Sequence, residues 1–178
     1  MKDIFALREH DKLRKTAYAA MFAAVAVLLS GFSFPIGPSK CFPFQHAVNV
    51  IAGVLLGPGW ALGAAFISSL ARNMLGTGTL LAFPGSMFGA LAVGFAANAL
   101  SAKRRMFAAA AEPLATGLLG AWVASLIVIA TNPGSGPMFT LLSVAFLASS
   151  VPGALIGCLA LYSLKALYRR VEEKAGNC

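Results

Sequence analysis

Long stretches of this chain carry almost no formal charge, and this feature limits its possible folds more than any other. Within 31–102 the only charged residues are Lys40 and Arg72, and within 106–164 the only one is Glu112. Of the 178 residues, 58% are apolar before glycine is counted, whereas soluble domains reach about 45–50% with glycine included. The sequence therefore predicts an all-α integral membrane protein.

Six apolar segments follow one another along the chain, and each is a candidate membrane helix. The second and third have only 13 and 16 residues, or about 20–24 Å of helix against a hydrocarbon core of about 30 Å, so they are short spans or a re-entrant pair. We expect a six-helix membrane domain over 16–168, between a basic segment at 1–15 and a basic tail at 169–178. The predicted helices are Thr16–Phe34, Phe44–Leu56, Trp60–Leu75, Leu80–Ser101, Pro113–Thr131 and Pro137–Leu167.

The basic residues set the expected orientation in the membrane. Twelve of the 14 lysines and arginines lie in three clusters, at the N-terminus, at Lys103–Arg105, and after the sixth segment. An even number of spans puts all three clusters on one face, which the positive-inside rule makes cytoplasmic. We expect a multi-pass protein of the plasma membrane with both termini in the cytoplasm. The charges form no basic face that would follow a phosphate backbone, so nucleic acid is not an expected partner.

The three connections expected on the outer side are rich in proline, glycine and phenylalanine. They cover 32–44, 76–85 and 132–139. Proline and glycine end helices, while the phenylalanines make these loops too apolar to extend freely into water. We expect the loops to fold over the mouth of a pocket that opens outward. The alternative is that they anchor helix ends at the membrane interface.

Polar side chains inside a membrane segment are costly and mark candidate functional positions. Gln45, His46 and Asn49 have spacings that place them on one helical face near the outer end of the second segment. Two amides and an imidazole can donate and accept hydrogen bonds with a small polar ligand. Such side chains also join helices in bilayers, and both interpretations stay open for His46 and Asn49. Gln45 is either a ligand contact or an interfacial residue.

Arg72 and Asn73 end the third segment, just before the run Gly-Thr-Gly-Thr at 76–79. No acidic residue is expected on the outer side. Arg72 therefore either bonds to loop carbonyls at the helix C-terminus or clamps an anionic or hydrogen-bond-accepting group of a ligand. The run lacks the Gly-Lys-Ser/Thr ending of a phosphate-binding loop. Asn73 and Thr77 are further candidate ligand contacts.

Aromatic rings around the outer loops, and one within the fifth segment, provide another set of candidates. Phe42, Phe83 and Trp122 are able to stack on a flat heteroaromatic ligand, although most membrane aromatics face lipid or pack against neighbours. Asn132 closes the fifth segment, either as a cap or as a ligand contact.

The sequence does not indicate an enzyme. Cys41 and His46 are five residues apart, but no orienting acid or second histidine is expected on their side. Glu112, immediately before Pro113, has the position of an acid in the first turn of a helix. No metal-binding set is present, and no cofactor is expected. The chain also lacks a nucleotide-binding loop, so active transport would draw its energy from another subunit.

Small residues in the first segment indicate a surface for close helix packing. Ala19 and Ala23, and likewise Ala20 and Ala24, are four residues apart. This spacing lets two helix backbones approach closely in lipid. The partner helix belongs either to this chain or to another subunit.

Two stretches of the chain resemble a known family: IGPSKCFPFQHAVNVIAGVLLGP at 36–58 and RNMLGTGTLLAFPGSMFGA at 72–90. They are similar to the ThiW-type substrate-binding (S) components of energy-coupling factor (ECF) transporters. The resemblance implies a six-helix bundle that binds a vitamin precursor from outside, here 4-methyl-5-(2-hydroxyethyl)thiazole. It also implies two kinds of partner, a transmembrane coupling subunit and two cytoplasmic ATPases. The coupling subunit would contact one of the two alanine pairs.

The expected ligand and the polar residues agree with each other, but other functions stay open. Hydroxyethylthiazole is small, aromatic and uncharged, and a pocket of phenylalanines, amides, an imidazole and threonines suits it; Arg72 would equally accept a phosphorylated or carboxylated ligand. One alternative is an S component for another small heterocycle, such as the pyrimidine precursor. Another is a self-sufficient channel or facilitator, which would carry flux without ATPases. A small intramembrane enzyme ranks last, because no substrate can be named for it.

Overall fold

Six helices and one short hairpin form the protein, in a computed structural model that describes residues 12–36, 39–136 and 138–176. The prediction of six helices is confirmed for these residues. Most of the basic segment expected at 1–15 lies outside them. In chain order the elements are α1 (Lys12–Leu29), β1 (Phe34–Ile36), β2 (Ser39–Cys41), α2 (Pro43–Leu56), α3 (Pro58–Met74), α4 (Ala82–Ala99), α5 (Arg105–Thr131) and α6 (Phe139–Gly176).

Three of the helices, α4, α5 and α6 as far as Glu173, are long and apolar enough to cross a membrane. The other three fall short for different reasons: α2 has 14 residues, α3 has 17, and α1 begins with three bases within four residues. Large apolar side chains also face outward around α5 and α6, a surface that soluble monomers rarely show. Those more than half exposed include Leu114, Leu118, Trp122, Leu155, Leu159 and Tyr162.

The first helix is shorter than its predicted span. It ends at Leu29 rather than Phe34, and Phe34 instead begins the antiparallel hairpin, opposite Cys41. Pro35 has a fixed φ and no N–H to donate, so a helix cannot continue through it without losing a hydrogen bond. The hairpin then returns the chain to the start of α2.

The fifth helix is continuous but irregular. It starts as a 3₁₀ helix over Arg105–Ala110, becomes α-helical over Ala111–Ala115, and passes through a π-helical turn over Thr116–Gly120 before its last α-helical stretch. Its start lies eight residues before the predicted Pro113. Single π-helical turns in membrane and soluble helices often occur at functional sites, and this one directly follows the turn that carries Glu112.

Small apolar side chains hold the bundle together in two large clusters and a smaller one of Ala121, Ala124 and Leu142 between α5 and α6. The second helix lies between α1, α3, α4 and α6. Alanine and valine predominate in both large clusters, which lets the helix backbones approach closely. The first cluster joins α2, α4, α5 and α6 through Val50, Val54, Val93, Ala97, Ala108, Ala109, Ala154 and Leu161. The second joins α1 to α2, α3 and α4 through Ala19, Ala23, Ala52, Leu56, Ala61, Ala64, Ala65 and Ala90.

Two glycines with positive φ set the ends of α3. Gly57, at φ +86°, alone separates α2 from α3, a conformation that a side chain would strain. Gly76, at φ +70°, turns the chain after α3, so that the amides of Thr77 and Gly78 both donate to the carbonyl of Arg72 at 3.0 Å. This turn brings the loop 76–79 over the end of α3.

Candidate functional site

A cavity of about 420 Å³ opens at the end of the bundle where α2, α4 and α6 begin. Two of the three loops predicted to surround a pocket border it, whereas none of the described residues of 132–139 lines it. The cavity is lined by Lys40, Phe42, Gln45, His46, Arg72, Gly76, Thr77, Gly78, Thr79, Leu81, Ala82, Gly85, Leu142, Phe146 and Ser149.

Five of the ten ligand contacts predicted from the sequence line this cavity together: Phe42, Gln45, His46, Arg72 and Thr77. Gln45 is 4% exposed, and its amide makes no hydrogen bond to the residues that the structure describes. An amide in this position keeps its donors and its acceptor available to a ligand. The start of α2 therefore supplies an aromatic ring, an amide and an imidazole within one helical turn.

Arg72 is buried in the wall of the cavity, at 1% exposure. Its guanidinium carbon lies 4.1 Å from the centre of the Phe42 ring, in a cation–π contact. Its Nε has no hydrogen-bond partner, and none of its side-chain nitrogens donates to the part of the chain that is described. Of the two alternatives for Arg72, hydrogen bonds to loop carbonyls are thus not made within the described residues, and the loop 76–79 instead donates to the backbone carbonyl of Arg72.

His46 is paired with Glu112 beneath the cavity. Its Nδ1 lies 2.5 Å from Oε1 of the carboxylate, and the exposures are 6% for His46 and 0% for Glu112. The expectation that His46 has no acidic partner is wrong. Glu112 does lie in the first turn of an α-helical stretch, Ala111–Ala115, but a 3₁₀ stretch from Arg105 precedes it in the same helix. Because α5 begins at Arg105, Glu112 lies two turns inside it and faces α2.

The surroundings of Glu112 are shaped for its carboxylate. Thr116, one turn along α5, donates its hydroxyl to Oε1 at 3.2 Å. On α4, a β-carbon at Gly89 would lie 2.5 Å from the same oxygen, so only glycine leaves room there. The second oxygen, Oε2, has no partner among the residues described. Burial of a carboxylate with one free oxygen is costly, and the described partners of the other oxygen are His46 and Thr116.

Close helix contacts fix the side of the cavity formed by α2 and α6. The amide of Phe42 donates to the hydroxyl of Ser149 at 3.3 Å, and the buried thiol of Cys41 lies 3.8 Å from the carbonyl of Ala145. Farther along α6, a β-carbon at Gly153 would lie 2.4 Å from the carbonyl oxygen of Pro43. The first residues of α2 are thus held directly against α6.

Two predicted contacts hold the structure together next to the cavity instead of lining it. Asn49 donates to the carbonyl and the hydroxyl of Ser86 at 3.2 and 3.1 Å, joining α2 to α4. Asn73 donates to the carbonyls of Ser69 and Thr79 at 2.8 and 3.0 Å, which fastens the loop to α3. Of the two interpretations of Asn49, the geometry shows the hydrogen bond between helices.

Three further predicted contacts lie away from the cavity lining. Phe83 packs its ring against Phe66, with the centroids 5.6 Å apart. Trp122 is 57% exposed on the outer surface of α5. Asn132 is exposed and ends α5, where its carbonyl accepts the hydroxyl of Ser135 at 2.7 Å. Their sequence positions near the loops did not reveal which way each side chain faces.

The two alanine pairs of α1 lie on different faces. Ala19 and Ala23 are 6% and 4% exposed and belong to the second core cluster. Ala20 and Ala24 are exposed. The first pair thus packs within this chain, and the second is the pair that remains accessible to another helix.

Several lining residues were not singled out by the sequence analysis. Leu142, Phe146 and Ser149 line the cavity from one face of α6, and their spacings of four and three are typical of such a face. The signal available for Glu112 was simpler, since a lone acid inside an apolar segment is a functional candidate by itself. Across 12–36, 39–136 and 138–176, no three His, Cys, Asp or Glu side chains are grouped as metal ligands.

The comparison with known families agrees with this architecture. A model described as thiamine-precursor transporter protein (ThiW) matches residues 16–167, which span all six helices. No protein of curated function and no solved structure matches the chain. Since the match covers most of its length, the chain belongs to the ThiW family of thiamine-precursor transporter proteins.

Proposed function

We propose that this chain is the substrate-binding subunit of an ECF-type transporter and binds 4-methyl-5-(2-hydroxyethyl)thiazole in the cavity at the start of α2, α4 and α6. The observation that carries the proposal is the convergence of Phe42, Gln45, His46 and Arg72 on one cavity. Its volume of about 420 Å³ falls within the range of roughly 300–1,000 Å³ typical of small-molecule sites. Family membership supports a thiamine precursor as the class of ligand.

The interior below the cavity supports a receptor rather than an open channel. The pair of His46 and Glu112 closes the bottom of the cavity, and the first core cluster fills the space between α2, α4 and α6 beyond it. A ligand bound here would need a rearrangement to leave at the opposite end. In this proposal a coupling subunit and two ATPases supply the energy for that step.

The proposed orientation has six spans, with both termini in the cytoplasm of the producing cell and the cavity facing outward. Three helices meet the length and composition of a span, and the shorter α2 and α3 would cross as an adjacent pair joined at Gly57. The clusters of lysine and arginine at 103–105 and after 164 lie at the end of the bundle opposite the cavity, which supports this orientation.

Equilibrium binding to the purified chain in nanodiscs tests the ligand. We expect submicromolar affinity for hydroxyethylthiazole and much weaker binding of the pyrimidine precursor and thiamine. Phe42→Ala is expected to weaken thiazole binding about tenfold or more, because it removes a ring of the cavity wall. Phe83→Ala, a matched change outside the lining, is expected to bind like the unsubstituted protein. Failure of folded protein to bind the thiazole would contradict the proposal.

The exposed alanine pair is the proposed contact for the coupling subunit. Ala20→Leu combined with Ala24→Leu is expected to abolish co-purification with the coupling subunit, because the larger side chains keep the helix backbones apart. Thiazole binding should stay unchanged, since both residues face away from the bundle. Ala130→Leu, at an exposed alanine of α5, is the control. Full assembly of the double variant would exclude this surface as the contact.

A further inference from the structure

Arg72 is a buried cation with no carboxylate partner among the residues that the structure describes. It is 1% exposed, its Nε is enclosed without a hydrogen-bond partner, and its guanidinium contacts the ring of Phe42. An uncompensated charge in a buried position is costly. Because Arg72 lies in the wall of a cavity, a negatively charged group bound in the cavity would neutralise it.

The distribution of acids explains why no carboxylate of the described residues pairs with Arg72. Only six of the 178 residues are acidic, and between 12 and 171 the only one is Glu112, which is paired with His46. The two acids at 172–173 on α6 follow the cavity residue Ser149 by more than 20 residues, or about 35 Å of helix. The three acids before Lys12 lie outside the described residues.

The remaining polar groups of the cavity add positive charge and hydrogen-bond donors. Lys40, at the hairpin, is a second cation in the lining, and no carboxylate of the described residues lines it. The amide of Gln45 is available as a donor beside these cations, whereas the hydroxyl of Thr77 donates to the backbone carbonyl of Arg72 at 3.3 Å. Phe146 and Leu142 form an apolar wall on α6. The lining is therefore cationic on one side and apolar on the other.

A neutral alcohol accepts only some of the hydrogen bonds that these donors can form, and it does not neutralise their charge. One hydroxyl oxygen accepts from one or two of the five N–H groups of a guanidinium. A phosphate or carboxylate group accepts two parallel hydrogen bonds from the same fork and also neutralises its charge. The number of donors and the net charge of the cavity therefore favour an anionic ligand.

We infer that the ligand of this cavity is a small aromatic heterocycle with an anionic oxygen group, which Arg72 and Lys40 bind while the ring lies against Phe146 and Leu142. The inference rests on the proposed function in that it takes this cavity as the ligand site. For the thiazole, the matching compound is the phosphate monoester of its hydroxyethyl group. Arg72 then determines specificity between the ester and the alcohol.

Calorimetric titration of the full chain in nanodiscs with four probes tests the inference: the thiazole alcohol, its phosphate monoester, the corresponding thiazole acetate, and phenyl phosphate. The phosphate ester is expected to bind at least about tenfold more tightly than the alcohol. Arg72→Met should reduce the ratio of the two dissociation constants, alcohol to ester, to about twofold or less. Arg72→Lys should leave an intermediate ratio, because lysine keeps the charge but cannot donate two parallel hydrogen bonds. Arg104→Met, an exposed arginine at the opposite end of the bundle, should leave the ratio unchanged.

A second measurement separates a ligand-binding role of Arg72 from a structural one. Without ligand, Arg72→Met is expected to unfold at the same temperature as the unsubstituted protein or a higher one, since replacement of an unpaired buried charge by an apolar group removes a cost. Added phosphate ester should raise the unfolding temperature of the unsubstituted protein only. If Arg72→Met does not fold, Arg72→Lys is measured in its place. An unchanged ratio of alcohol to ester dissociation constants in Arg72→Lys would overturn the inference.

The outcomes also distinguish this inference from the proposed function. If the alcohol binds as tightly as both anionic thiazoles, or more tightly, the anionic ligand is excluded while the thiazole receptor stands. If neither thiazole ester nor alcohol binds but phenyl phosphate binds in an Arg72-dependent way, the thiazole is excluded while the anionic ligand stands. Absence of binding by all four probes to folded protein would overturn both.

Discussion

Replacing Glu112 with leucine is expected to lower the free energy of unfolding by about 3–5 kcal/mol, because it leaves the buried imidazole of His46 without its partner. The carboxylate is fully buried, and His46 is 6% exposed, so water cannot replace the lost contact. Denaturant titration in micelles, followed by the fluorescence of the two tryptophans, measures this change. Ligand binding should also be weakened, since His46 lines the cavity.

The matched control is the double variant with leucine at both positions. Replacing both members of a buried pair by apolar groups is often close to neutral, so His46→Leu with Glu112→Leu is expected to recover much of the stability that Glu112→Leu loses. Thr116→Val, which removes only the 3.2 Å hydrogen bond to Oε1, should cost about 0.5–1.5 kcal/mol. Additive losses in the double variant would show that the two side chains are not energetically coupled.

Gly153→Ala is expected to have the second large effect, a loss of about 1–3 kcal/mol or more in stability. A β-carbon at this position would lie 2.4 Å from the carbonyl oxygen of Pro43 and 2.5 Å from Cβ of His46. The first atom belongs to the backbone, so α2 and α6 must move apart. Because Phe42, Gln45 and His46 begin α2, the same movement is expected to weaken ligand binding. Thermal unfolding and calorimetric titration measure the two effects.

A second helical glycine provides the comparison for this substitution. A β-carbon at Gly63 on α3 meets nothing within 4 Å, so Gly63→Ala is expected to leave stability unchanged or raise it by about 0.5–1 kcal/mol. Ligand binding should be unaffected, because Gly63 does not line the cavity and precedes Arg72, the lining residue of α3, by several helical turns. Equal losses from both variants would contradict the contact assigned to Gly153.

Part of the site was predictable because it depends on local periodicity. Gln45 and His46 were identified by their polarity within an apolar helix, and Arg72 by its position at the end of the next one. All three line the cavity. The family resemblance, found in the stretches at 36–58 and 72–90, is confirmed by the match over residues 16–167. These signals are carried by residue type and short spacing, which a sequence displays directly.

The rest of the site depends on contacts between residues far apart in the chain. His46 and Glu112 are separated by 66 positions, and a position near a helix start did not show which side chain the carboxylate of Glu112 meets. Trp122 was an aromatic candidate because of its position in the fifth apolar segment, yet its side chain faces outward at 57% exposure. Helix rotation is set by packing against neighbours, which a single segment does not reveal.

The sequence by itself determined that this chain is helical and apolar, that it has six helices, and which family it resembles, because hydropathy and helix-breaking residues act locally. Only the tertiary structure decided which alanine pair of α1 is accessible, which acid meets His46, and that the guanidinium of Arg72 has no carboxylate partner among the described residues. These outcomes depend on how the helices are rotated and how closely they pack. Small residues such as Gly89 and Gly153 permit that packing by leaving space that another element's atoms fill.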